Sequence, residues 1–186
     1  MSPKVVKKTV AFLAMLCLGL SLAGCNSAPP EETQEGEAEM VIQMTSAAFT
    51  EGSNIPGKHT CDGEDVSPEL AWSGVPQGAK SLALIMDDPD APGRVFVHWV
   101  LFNIPASVVE LPEGVSGTGL PGTNNFRKTG YNGPCPPSGS AHRYFFKLYA
   151  LDQELKLPSG ASKADLENAM KGHILATGQL TGKYGR

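Results

Sequence analysis

Ile85-Met86-Asp87-Asp88-Pro89-Asp90-Ala91-Pro92 is followed five residues later by Val97-His98-Trp99. The apolar run Leu82 to Met86 reads as a buried strand, and it ends in three acids and two prolines. Proline fixes φ and removes an N–H donor, so Pro89 and Pro92 stiffen the turn that carries the aspartates. Val95 to Ile104 is nearly all apolar, which predicts a second strand buried on both faces that brings His98 back through the core. A rigid acidic corner facing an imidazole is the candidate site. On strict alternation, Trp99 points away from it.

Outward from this hairpin the runs are short and Gly and Pro are abundant, so the folded part reads as mainly β. Val41 to Met44 and the segment ending at Trp72 are predicted strands, with the polar, turn-forming stretch His59 to Asp65 between them. Tyr144 to Leu151 is another strand. Ser162 with Asp165 resembles a capping box, Leu166, Ala169 and Met170 make one apolar stripe, and Gly172 ends the helix. Ile174 to Leu180 alternates as a final strand. Gly117 to Gly122 matches the spacing of a dinucleotide-binding loop, but no strand precedes it and Pro121 sits where a helix would begin, so it reads as loop.

The start of the chain reads differently. Residues 1–24 have Lys4, Lys7 and Lys8 before an apolar stretch from Val10 to Leu20, too short for a comfortable membrane span. Leu22-Ala23-Gly24-Cys25 resembles a bacterial lipobox, which implies cleavage before Cys25 and lipid on that cysteine. Residues 25–39 read as a flexible lipid-anchored tether, and residues 40–186 as one domain. Without residues 1–24, 12 basic side chains face 19 acidic ones, a formal charge of −7. That balance argues against nucleic acid and against basic attachment to anionic lipid, so membrane contact is expected from the acyl anchor. An extracytoplasmic, membrane-anchored location follows from this reading. In such a compartment Cys61 and Cys135 can form a disulfide or stay as two thiols.

The second informative stretch is Tyr131-Asn132-Gly133-Pro134-Cys135-Pro136-Pro137, leading to His142-Arg143-Tyr144. A stiff loop delivers His142 to a strand start, and period two places Tyr144 on the same face. Each of these residues also has an ordinary reading: aspartates that cap a turn, a satisfied core histidine at His98, a core Tyr144, a solvated or ion-paired Arg143.

Asp88-Pro89-Asp90-Ala91-Pro92, His98, Gly133-Pro134-Cys135-Pro136-Pro137 and His142-Arg143-Tyr144 together resemble the phosphatidylethanolamine-binding protein (PEBP) family. Cys61-Asp62-Gly63, Ser67-Pro68 and Trp72 look like its bacterial, Raf kinase inhibitor-like branch. The resemblance implies a large antiparallel sheet packed with a smaller one, a few short helices, and one small pocket at a sheet end. It implies non-catalytic binding of a small anion, a phosphorylated ligand or a phospholipid headgroup, with no cofactor. Carried over by position, the pocket would comprise Asp88, Asp90, His98, His142 and Tyr144, with backbone near Cys135. Eukaryotic members continue into a C-terminal helix beside the pocket; a chain that stops at Arg186 implies a more open one.

Carboxylates beside an anion need explaining. At about 4 Å and an effective dielectric of ~20, a like-charged pair costs roughly 4 kcal/mol. Either Asp88 or Asp90 holds a histidine cationic so that His98 and His142 both donate, or one aspartate accepts from a proton on the ligand. Two other functions fit the residues less closely. One is an interaction module that inhibits an extracytoplasmic enzyme. The other is a metal-assisted hydrolase using His98, His142 and Asp90, whose spacing is not compact. A serine hydrolase lacks its nucleophile elbow.

Overall fold

The computed structural model describes residues 41–186. The expected signal segment, Cys25 and the tether lie outside the described residues. The chain runs β1 (Gln43–Thr45), a 3-10 turn (Gly57–His59), β2 (Leu70–Ser73), β3 (Ser81–Asp88), β4 (Phe96–Pro105), β5 (Glu110–Leu111), β6 (Leu120–Pro121), β7 (His142–Leu151), α1 (Lys163–Met170) and β8 (Ile174–Tyr184). The pairings are antiparallel and make two sheets, β6-β4-β3-β7-β8 and β1-β2-β5. This is the mainly β, two-sheet architecture expected from the sequence. The stretch read as loop before Gly122 includes the two-residue strand β6, which hydrogen-bonds to Leu101 and Phe102.

The central strand β3 is buried along its whole length. Its even-numbered residues Leu82, Leu84 and Met86 face the small sheet, packing with Ile42, Leu70 and Trp72. Its odd-numbered Ala83 and Ile85 face α1, packing with Leu166 and Met170. Ser162 caps α1 in the predicted box with Asp165, and Gly172 takes the positive φ of 77° that ends it. Carried one step further, the alternation sends Asp88 to the small-sheet side and Asp87 to the helix side. Asp87 therefore leaves the acidic corner: it is fully buried, with Lys147 Nζ 3.0 Å and Lys163 Nζ 2.9 Å away.

Alternation fails on β4. Met86 pairs with Trp99 and Asp87 with Val97, so His98 is the extra residue of a β-bulge. Val97 packs on the helix side, Trp99 on the small-sheet side, and the His98 ring lies 5.2 Å from Tyr144, also on the small-sheet side. Contrary to strict alternation, His98 and Trp99 share one side of the sheet, and the bulge is what re-aims the imidazole.

Candidate ligand-binding site

The end of β3 and the starts of β4 and β7 meet at one edge of the large sheet. There the loops after β3, before β7 and at Phe126 enclose a cavity of about 350 Å³. Its polar groups are Asp88, His98 and His142; its walls include Pro92, Phe96, Phe126, Pro136 and Pro137, and Cys135 contributes to the lining. The structure thus brings four of the predicted residues, Asp88, His98, His142 and Cys135, to one cavity. Asp90 and Tyr144 are not on its wall.

Asp88 and His142 act as a unit. Both are buried, and His142 Nδ1 is 2.7 Å from Asp88 Oδ2. Asp88 Oδ1 accepts from the Asp90 N–H at 2.8 Å, so the carboxylate closes the Pro89 turn and orients the ring together. Asp88 thus caps its turn and contacts His142 at the same time. With Nδ1 engaged, Nε2 is the ring nitrogen left for a ligand.

Asp90 has a different partner. Arg143, on the opposite face of β7 from His142, donates to it from the backbone and, in a two-pronged contact, from Nε at 2.9 Å and Nη2 at 2.7 Å. Those bonds hold the Asp90 carboxyl down to about 2. The expectation that Asp90 orients a histidine is corrected by this exposed pair. Among the described residues no group of three or more His, Cys, Asp or Glu side chains is placed to share a metal ion. The metal reading also loses Asp90 to Arg143.

His98 is held by carbonyls, not by a carboxylate. Its Nδ1 lies 2.9 Å from the Asn132 oxygen and 3.0 Å from the Gly133 oxygen. A carbonyl only accepts, so Nδ1 carries the proton. Burial pushes the His98 pKa below 6.5, against the raising influence of those carbonyls and of Asp88. Burial thus works against the cationic His98 expected from the sequence. The sign of the linkage follows. The neutral buried ring contributes stability that is fully present above about pH 6.5 and is lost as pH falls below it. Urea midpoints should drop between about pH 7.5 and about pH 5, and should drop less in His98→Gln. Equal drops in the two proteins would show that His98 is not the acid-sensitive group.

Tyr144 packs edge-on against His98, with no solvent exposure and a hydroxyl that makes no hydrogen bond among the described residues. Burial, then the charges of Asp88 and Asp90, raise its pKa. It supports the ring rather than lining the cavity.

Sequence reasoning missed what holds the His98 carbonyls. Asp65 Oδ1 accepts from Gly133 N–H at 2.6 Å, and Oδ2 accepts from Asn132 Nδ2 at 3.1 Å. Tyr131 donates to the His59 carbonyl, and a Cβ on Gly133 would sit 2.1 Å from that same oxygen, so only glycine fits. The Cys61–Cys135 disulfide is formed beside these contacts. Asn124, also missed, is buried. It donates to the His98 carbonyl and accepts from the Phe126 and Lys128 N–H groups, which sets Phe126 beside Phe96 with ring centroids 4.9 Å apart. The polar run to Asp65 and the Tyr131-Asn132-Gly133 loop were each visible in the sequence. Nothing in their spacing pairs them.

Comparison with known proteins agrees with this fold. A family model described as phosphatidylethanolamine-binding protein matches residues 45–185. The UPF0098 protein of Methanothermobacter thermautotrophicus is 53% identical over 151 residues, which cover 78% of this chain and 99% of that one. The UPF0098 protein of Aquifex aeolicus is 49% identical over 154 residues, covering 78% and 90%. Among solved structures, a PEBP homologue from Chlamydia trachomatis superposes with a TM-score of 0.76 at 42% identity, covering 79% of this chain and 99% of that one. Escherichia coli YbcL, described as a member of the mammalian PEBP family, gives 0.73 at 35% identity, covering 78% and 98%.

Proposed function

The chain belongs to the phosphatidylethanolamine-binding protein family, and from that premise we propose that its cavity binds a small anion, a phosphorylated molecule or a phospholipid headgroup without catalysing a reaction on it. One observation carries the reading: two imidazoles meet at a cavity with apolar walls, one of them backed by a buried carboxylate at 2.7 Å. Asp88 supplies the counter-charge for a His142 ring that donates to the ligand from Nε2. The surface charge supports the same reading. The domain is acidic as a whole, yet Arg94 lies within two residues of the cavity-lining Pro92 and Phe96, and Arg127 and Lys128 follow Phe126. All three are exposed and make no ion pair among the described residues. Cations next in sequence to the cavity lining raise the local concentration of anions.

From the lipobox-like Leu22-Ala23-Gly24-Cys25 we further propose that the domain sits outside the cytoplasm on a lipid carried by Cys25, with the acyl chain as its link to the membrane. A protein partner at the cavity rim fits this location.

The test is a titration of the protein with phosphate and with phosphoethanolamine, followed by the His98 and His142 ring signals in NMR. Both rings should shift. His142→Ala should weaken binding by about 10- to 100-fold, the worth of one hydrogen bond to a charged group. Silence at both rings would discard the anion pocket and leave a protein-interaction surface at the rim.

A further inference from the structure

The two histidines of the cavity are held differently, and the difference bears on which ligand they take. His142 has a carboxylate on Nδ1; His98 has two carbonyl oxygens there, at 2.9 Å and 3.0 Å. Because carbonyls cannot donate, the His98 proton is fixed on Nδ1, and Nε2 presents a lone pair. No hydrogen bond to Nε2 is made among the described residues, and the ring lines the cavity. A second proton would have to be taken up in a poor environment. Phe96 and Phe126 flank the ring at centroid distances of 5.2 Å and 5.4 Å, and Tyr144 packs edge-on at 5.2 Å. The charged and titratable groups around it are Asp88 and His142 across the cavity, Asp65 behind the carbonyls, and Tyr144. Asp88 is already shared between His142 and the Asp90 N–H. Burial keeps the ring neutral despite the nearby carboxylates.

We infer that His98 Nε2 is a hydrogen-bond acceptor that makes the cavity specific for phosphorus oxyanions still carrying a P–OH, namely hydrogenphosphate and the monoprotonated form of phosphate monoesters, over sulfate and over phosphodiesters. This rests on the anion-binding reading above and adds to it a ligand class and a residue that selects it. The ligand divides its oxygens between the two rings: an unprotonated oxygen accepts from His142 Nε2–H, and the P–OH donates to His98 Nε2. Sulfate near neutrality has no proton to offer, and its oxygen would meet the His98 lone pair. A diester fails for the same reason, so an intact phospholipid, whose phosphate is a diester, is a poor ligand by its phosphate. A site built to receive a donor rejects an isostere that lacks it far more strongly than a hydrophobic pocket rejects a change of size.

The experiment compares inorganic phosphate with sulfate on the full chain at about pH 8, where both are mainly dianions of similar size and only phosphate carries a proton. Phosphate should bind at least about 100-fold tighter, and at about pH 6, near the second pKa of a monoester, where much of methyl phosphate still carries its P–OH, methyl phosphate should exceed dimethyl phosphate by at least about 10-fold. In His98→Gln, whose amide both donates and accepts, the phosphate-to-sulfate ratio should fall to within about threefold. Equal binding of phosphate and sulfate by the unaltered protein overturns the inference while leaving anion binding standing. Binding of neither, nor of methyl phosphate, overturns the anion reading itself. Selectivity that survives in His98→Gln removes His98 from the role. Should that variant not fold, the methyl and dimethyl phosphate pair decides on the unaltered protein. Glycerophosphoethanolamine closes the remaining route. It is a diester with an ammonium donor, and tight binding of it beside weak dimethyl phosphate would overturn the monoester assignment in favour of a lipid-derived headgroup.

Discussion

Replacing Lys147 and Lys163 together by methionine is expected to lower the unfolding free energy by about 3 kcal/mol and to leave phosphate affinity unchanged. Asp87 is fully buried, and its Oδ1 has no aligned hydrogen-bond donor. Among the described residues its charge is met only by the ammonium groups of Lys147, at 3.0 Å, and Lys163, at 2.9 Å. Removing both lysines strands a carboxylate in an apolar layer between β3 and α1. The lysine side chains are 29% and 21% exposed. Water therefore screens part of the interaction, which puts the expected loss at the lower end of the range of about 3–5 kcal/mol for breaking a buried pair. Adding Asp87→Leu to the two methionines should restore most of the loss, because an apolar replacement of a whole buried ion cluster is often neutral. Urea denaturation of the double and triple variants decides it. A double variant within about 1 kcal/mol of the parent would show that the cluster is effectively solvated. Asp88, the next residue, is expected to behave in the opposite way, because its carboxylate serves His142 on the other side of the sheet.

Opening the Cys61–Cys135 bridge by a double alanine substitution should cost about 4 kcal/mol. The bridge closes a segment of 74 residues, and restoring that freedom favours the unfolded chain. The local geometry of His98 should survive. Asp65 still bonds Gly133 and Asn132, and Tyr131 still bonds His59, so the two carbonyls stay where the ring needs them. Thermal or denaturant unfolding reads the first effect, and ¹⁵N ring shifts of His98 at about pH 7.5 read the second. A stability loss under about 1 kcal/mol would mean the hydrogen-bonded loops alone supply the restraint. Loss of the Nδ1–H signature in the bridge-free protein, with Asp65 intact, would make the disulfide the element that sets the tautomer.

What the sequence determined by itself was everything that depends on short-range pattern. The apolar run Leu82 to Met86, the nearly continuous apolar run into Ile104, the Ser162 and Asp165 box and the Gly/Pro loop before His142 each encode their own conformation within ten residues or so. Period, capping and turn chemistry are local forces. The same short motifs also placed the chain in its family. Tertiary structure decided the rest, because it turned on pairings between segments far apart. The bulge at His98 comes from the register of β4 against β3, which no single strand contains. It put His98 and Trp99 on one side where alternation separates them. Asp90 went to Arg143 because β7 lies beside β3, and Asp65 reached Gly133 because two loops 67 or 68 residues apart were brought together. The polarity of His98 follows from that last contact. A histidine in a sequence is a donor, an acceptor or a cation; two backbone carbonyls, held by an aspartate from another loop, make this one an acceptor.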